Sequence, residues 1–114
     1  MATDGIEAVF METRNWGKGA KFLQALGFEL EVTAGDGSGV FRNGDGAYLV
    51  LVEVPEDREP AVQVALKVAD ADRFEVDPVV EVVTPFKETH YGTREMTVRD
   101  PDGRLWSLQA PAGS

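Results

Sequence analysis

The sequence predicts an α+β fold built from two βαβββ modules, the second with a shortened helix. Three observations carry this. Asn43-Gly44-Asp45-Gly46 and Asp100-Pro101-Asp102-Gly103 each stand just before the last apolar strand of their half. Trp16–Leu26 has sustained helical spacing, while most other apolar residues alternate with period two. Matched turns at matched places argue for an internal duplication.

Ile6–Thr13 is the first strand, with Val9 and Met11 on one face and Ala8, Phe10 and Glu12 on the other. Asn15 is a helix cap, since its side-chain oxygen can accept from an unpaired backbone N–H. Helix residues Trp16, Ala20 and Leu23 recur at helical spacing, with Phe22 and Leu26 beside them. Gly17 and Gly19 weaken the first turn, and Gly27 ends the helix. Phe28–Thr33 is a strand with Phe28, Leu30 and Val32 inward. AGDGSG turns the chain, and Val40–Arg42 is a third strand with Phe41 of open direction. Asn-Gly and Asp-Gly suit the hairpin turn that follows. Ala47–Val54 is apolar on both faces and reads as buried.

Pro55–Pro60 (PEDREP) is a polar linker. The second half repeats the order. Ala61–Val68 alternates, with Val64, Leu66 and Val68 opposite Gln63, Ala65 and Lys67. Asp70 caps a short helix that Asp77-Pro78 must stop. Val79–Val83 is a strand and Thr84–Thr93 a long loop. Glu95–Arg99, the DPDG turn and Arg104–Gln109 form the last hairpin, with Leu105, Ser107 and Gln109 opposite Trp106 and Leu108. The whole is one domain over 1–114, with modules at about 4–54 and 61–110 and the linker at 55–60. Both tryptophans are expected to pack under the helices.

The bulk properties exclude several functions. With 114 residues the chain suits a single core. No apolar run nears the roughly 18 residues of a membrane span, and MATDGIEAVF lacks the pattern of a signal peptide. No cysteine is present, which excludes disulfides, thiolate metal sites and cysteine nucleophiles. These features fit the cytoplasm. The net charge of −9 gives no basic footprint for nucleic acid. It serves solubility, and an acidic surface also attracts cationic small molecules.

EAVFMETRNWGKGAKFLQALGFELE resembles the first βαβ segment of vicinal oxygen chelate proteins, and HYGTREMTVRDPDGRLW is similar to their last hairpin. That superfamily includes glyoxalase I, bleomycin-resistance proteins and extradiol dioxygenases. The resemblance implies curved mixed sheets, a concave pocket between paired modules, and a homodimer. Metal-dependent members hold a divalent ion with one side chain from the first and one from the fourth strand of each half. Counted from the strand ends and turn glycines, those positions are Ala8, Val50, Gln63 and Ser107. Alanine and valine cannot ligate, so neither metal nor other cofactor is expected. A slip of one residue would bring in Glu7, against the alternation.

Candidate ligand-binding residues on the inward faces are Phe10, Glu12, Tyr48, Gln63, Lys67, Leu105, Ser107 and Gln109. Aromatics there could stack on a planar ligand or simply fill the core. Glu12 and Lys67 could hold a polar ligand or form ion pairs. His90 reads as a solvated loop residue rather than a general base. Neither GDGSG nor NGDG precedes a helix, so neither is a phosphate cradle. The reading is a metal-free small-molecule binder close in character to the bleomycin-resistance proteins. The alternative is a lyase- or dioxygenase-type enzyme, metal-dependent or using Glu12, His90 or Glu95 as acid or base. A module without a ligand is the third reading.

Overall fold

The computed structural model describes residues 3–34, 37–89 and 92–112. Among these residues the chain forms eight strands and one helix. Two compact units result, Ala8–Val62 and Gln63–Ser114 with Met1–Glu7.

The first unit contains β1 (Ile6–Thr13), α1 (Trp16–Ala25), β2 (Glu29–Ala34), β3 (Ser38–Arg42) and β4 (Tyr48–Glu53). Its strands lie in the order β2-β3-β4-β1. β1 and β4 are parallel, and the other pairs are antiparallel. The tight NGDG turn can join only antiparallel neighbours; the parallel pair needs the longer route through the helix. Asn15 caps α1, accepting from Lys18 N–H at 3.0 Å. At the other end Gly27 N–H reaches Gln24 O and Phe28 N–H reaches Leu23 O, closing the last turn. Ala20 and Leu23 of the helix pack with Phe41, Leu51, Met11, Trp16 and Leu49. Phe41 therefore points to the helix, and it is fully buried. Trp16 lies 6.0 Å from the Phe41 ring and bonds Leu51 O through its indole N–H. Gly39 makes room for it, because a Cβ there would meet Trp16 Cζ2 at 2.7 Å.

Three departures from expectation occur in this unit. Leu30 and Val32 are exposed, Val32 at 60%. β2 is the edge strand, and a bulge between these two residues pairs Leu30 with Phe41 on the helix side but Val32 with Val40 on the opposite face. Phe22 and Leu26 are also exposed, on the flank of α1 turned from the sheet. β4 is less buried than its composition implies: only Leu51 is fully covered, on the helix side. The 55–60 linker is tied to β1 by the Arg58–Glu12 ion pair and to the residue just after β1 by Arg14–Glu59.

The second unit contains β5 (Val62–Lys67), β6 (Glu81–Glu88), β7 (Thr93–Arg99) and β8 (Leu105–Pro111). The order is β5-β8-β7-β6, with β5 and β8 parallel. This repeats the first unit's strand pattern, but the short helix expected after Asp70 is a single turn. Asp70 accepts from Asp72 N–H through its side chain and from Arg73 N–H through its carbonyl. Asp77 makes a second turn at Pro78. The chain between cannot wind, and it crosses the sheet as a strap. Ala71, Phe74, Val76 and Val80 pack against Val68, Met96, Val98, Leu108 and Trp106. Trp106 thus packs beneath a strap, not a helix.

A second correction concerns β6, which runs to Glu88 where a loop was expected. Pro85 removes a backbone donor, but on an edge strand that loss is tolerated. Two register shifts against β7 absorb the misfit. Thr89 and Thr93 close the connection through backbone and hydroxyl bonds.

The DPDG turn is held by Asp100. Its carboxylate accepts from Trp106 indole N–H, the Arg104 guanidinium and two backbone N–H groups, each at 2.9 Å. These bonds, the indole first and Arg104 next, hold the Asp100 carboxyl far below the ordinary carboxylate range.

Candidate functional site

Strand alternation turns one face of each sheet away from its helix or strap. In the first unit that open face carries Ala8, Phe10 and Glu12 of β1 and Tyr48, Val50 and Val52 of β4, paired in register. Val40, opposite Val50, joins them from β3, and Arg42 lies on the same face. Phe10, Tyr48 and Val50 are half-buried. Ala8, not Glu7, shares the face with Phe10 and pairs with Tyr48.

Glu12 sits at the end of this face, already engaged. Its carboxylate pairs with Arg58 at 2.8 Å and accepts from Ala61 N–H at 3.1 Å. Tyr48 is also engaged, with a residue that the sequence reading passed over. The Arg42 guanidinium carbon lies 4.5 Å from the centre of the Tyr48 ring, and Nη1 donates to the Tyr48 hydroxyl at 3.1 Å. Nε donates to Gly46 O at 3.0 Å. The signal was legible: an arginine and a tyrosine flank the NGDG turn and alternation places both on the open face.

In the second unit the open face is polar. Gln63 Nε2 donates to Ser107 Oγ at 2.7 Å, and Ser107 is only 2% exposed. Gln109 Nε2 donates to Glu95 at 3.3 Å. Leu105, expected to line a pocket, is 40% exposed beside Arg99 at the start of β8. Lys67 and Gln109 meet at the end of the paired strands. There they line a cavity of about 280 Å³ with Asp4, Glu7 and Thr93. The N-terminal segment is fixed at its edge by Asp4 N–H to Lys67 O and Lys67 N–H to Gly5 O. His90 lies outside the described residues.

The four positions implied for a metal do not fit one. Ala8 and Val50 carry no donor atom, and Gln63 and Ser107 already bond each other. Among the described residues no group of three or more His, Asp or Glu side chains could hold a metal ion.

No protein-family model matches the chain, and no curated protein matches it. Solved structures do. A glyoxalase/bleomycin resistance protein/dioxygenase superfamily member from Vibrio splendidus is 17% identical, with a TM-score of 0.70 over 96% of this chain and 99% of its own. The Mn(II)-bound glyoxalase of Novosphingobium aromaticivorans is 15% identical, with a TM-score of 0.71 over 98% of this chain and 42% of its own. Methylmalonyl-CoA epimerase of Streptomyces coelicolor is 21% identical, with a TM-score of 0.64 over 98% of this chain and all of its own. With these likenesses and its parallel-paired four-stranded units, the chain has the vicinal oxygen chelate fold of the glyoxalase/bleomycin resistance protein/dioxygenase superfamily.

Proposed function

We propose that this protein binds a small organic molecule on its open sheet faces without a metal ion. The observation that carries the reading is the donor set: Ala8 and Val50 offer nothing to a cation, and Gln63 and Ser107 satisfy each other at 2.7 Å. Phe10 and Tyr48 suit an aromatic body, Gln63, Lys67 and Gln109 suit polar groups, and the −9 charge favours ligands carrying an amine. Ser107 and Leu105 shape the floor and rim of the polar face. We further propose a homodimer in the cytoplasm that engages neither nucleic acid nor membrane. No helix among the described residues is long and apolar enough to cross a bilayer.

Native mass spectrometry with elemental analysis of the same sample tests this. A dimer without stoichiometric metal, carrying or accepting a small organic ligand, is the expected result. One divalent ion per chain would sink it and bring forward the second reading, a lyase- or dioxygenase-type enzyme. That reading draws on the Mn(II)-bound glyoxalase neighbour and on Glu95, whose carboxylate accepts a long bond of 3.3 Å from Gln109 and forms no ion pair among the described residues.

A further inference from the structure

We infer that Arg42 and Tyr48 form a carboxylate-binding site for an aromatic acid on the open face of the first unit. Among the described residues every other arginine is paired with an acid. Arg14 holds Glu59, Arg58 holds Glu12, Arg73 holds Asp70, Arg94 holds Asp72, Arg99 holds Glu81, and Arg104 holds Asp100 and Asp102. Acids outnumber bases in this chain by 20 to 11, so an arginine without one is the exception. The nearest acids by position are Glu29, directly across the β2–β3 pair, and Asp45 in the adjoining turn. Neither forms an ion pair with Arg42.

Arg42 is nevertheless held firmly. Gly46 O takes its Nε–H, the Tyr48 hydroxyl takes one Nη1–H, and the Tyr48 ring lies against the guanidinium. Of its five N–H donors, three remain uncommitted. A planar fork fixed in advance loses little freedom when it meets a planar oxyanion, and a charged, two-point contact is among the stronger hydrogen-bonding arrangements. The ground beside it is apolar. Val40 precedes it by two residues on β3, Val50 is the cross-strand partner of Val40, and Phe10 is the partner of Val50. A negative group at the edge of an apolar floor describes an aromatic carboxylate. The inference rests on reading this face as ligand-binding; the overall negative charge acts at long range, while Arg42 sets the local preference.

The test uses the whole purified chain and three matched probes, 2-naphthoate, 2-naphthamide and 2-naphthylmethylammonium, titrated by calorimetry. Naphthoate should bind at least about tenfold tighter than the amide, the scale of a charge-assisted bond. Arg42→Gln should erase that advantage, Arg42→Lys should keep part of it, and Tyr48→Phe, which retains the ring, should change it by less than about threefold. Inorganic phosphate should not compete. Equal binding of acid and amide, an advantage that survives Arg42→Gln, or competition by phosphate would each overturn the inference. If only the ammonium or amide probe binds, this inference fails while the small-molecule reading stands; if none binds, both fail. Should Arg42→Gln not fold, the wild-type Arg42 side-chain ¹⁵N resonance decides: naphthoate must shift it and the amide must not.

Discussion

The two units share a strand order and differ in what covers one face and what lines the other. In the first, a ten-residue helix packs Ala20 and Leu23 onto Phe41 and Leu51. In the second, a strap pinned by Asp70 and Asp77 does the same work with Phe74 against Phe86, 5.9 Å apart and edge to face. The open faces diverge as well: aromatic and apolar with a poised arginine in one, amide and hydroxyl groups bonded to each other in the other. A parallel pair flanked by a hairpin is thus enough to define the architecture. Cover and lining vary freely on it, which is how one fold hosts unrelated chemistries.

The sharpest way to break the comparison is to remove one ring from each core. Phe41→Ala should cost ~3–5 kcal/mol, since Phe41 is wholly buried. Phe86→Ala, only half-buried, should cost ~1–3 kcal/mol. Urea denaturation checks both, and equal losses would mean that the strap packs as tightly as the helix.

The polar face offers a smaller contrast. Gln63→Ala strands the buried Ser107 hydroxyl and should cost ~1–2 kcal/mol. The double change Gln63→Leu with Ser107→Ala removes both partners and should recover most of that loss. If the double variant is as unstable as the single, the pair is not the isolated unit described here.

Asp100→Asn probes the hairpin that closes the second unit. The folded-state carboxyl is held below its unfolded value, so its contribution is present above the unfolded pKa of ~3.9 and is lost as pH falls toward the folded value. The variant should therefore melt below wild type at pH 7, and the gap should narrow below about pH 4. A gap that stays constant with pH would assign the effect to lost hydrogen-bond geometry rather than charge. Smallest of all, Val79→Ser should shift stability by no more than ~0.5 kcal/mol, because Val79 is 87% exposed at the strap's second turn.

Much of this was legible in the residues. Strand alternation set Met11, Leu66 and Val68, and Met96 and Val98 on the faces that pack, and the capping role of Asn15 followed from its side chain. What failed depended on neighbours that no local pattern reveals. Leu30 and Val32 alternate like one buried face, but a bulge between them pairs Leu30 with Phe41 and Val32 with Val40, so Val32 emerges on the face turned from α1. Thr84–Glu88 contains a proline that argues against a strand, yet an edge position tolerates it. Asp70 can start a helix or a turn with the same bond, and Pro78 decided between them. In the candidate site, alternation alone placed Phe10 and Glu12 on one face of β1 with Ala8, and the register pairs Ala8 with Tyr48 and Phe10 with Val50. The place of Arg42 on the open face was legible too, but its lack of an acid partner was not, because that depends on neighbours distant in sequence.

The bulges have a consequence for how this molecule meets its own kind. β2 and β6 end the strand order of their units, and both are irregular: β2 slips at Leu30/Val32, and β6 slips twice around Pro85. A growing fibril needs a straight, unbroken row of amides to copy. These crooked rims deny it one, so valines such as Val32 and Val83 can stand in water without seeding cross-β stacking.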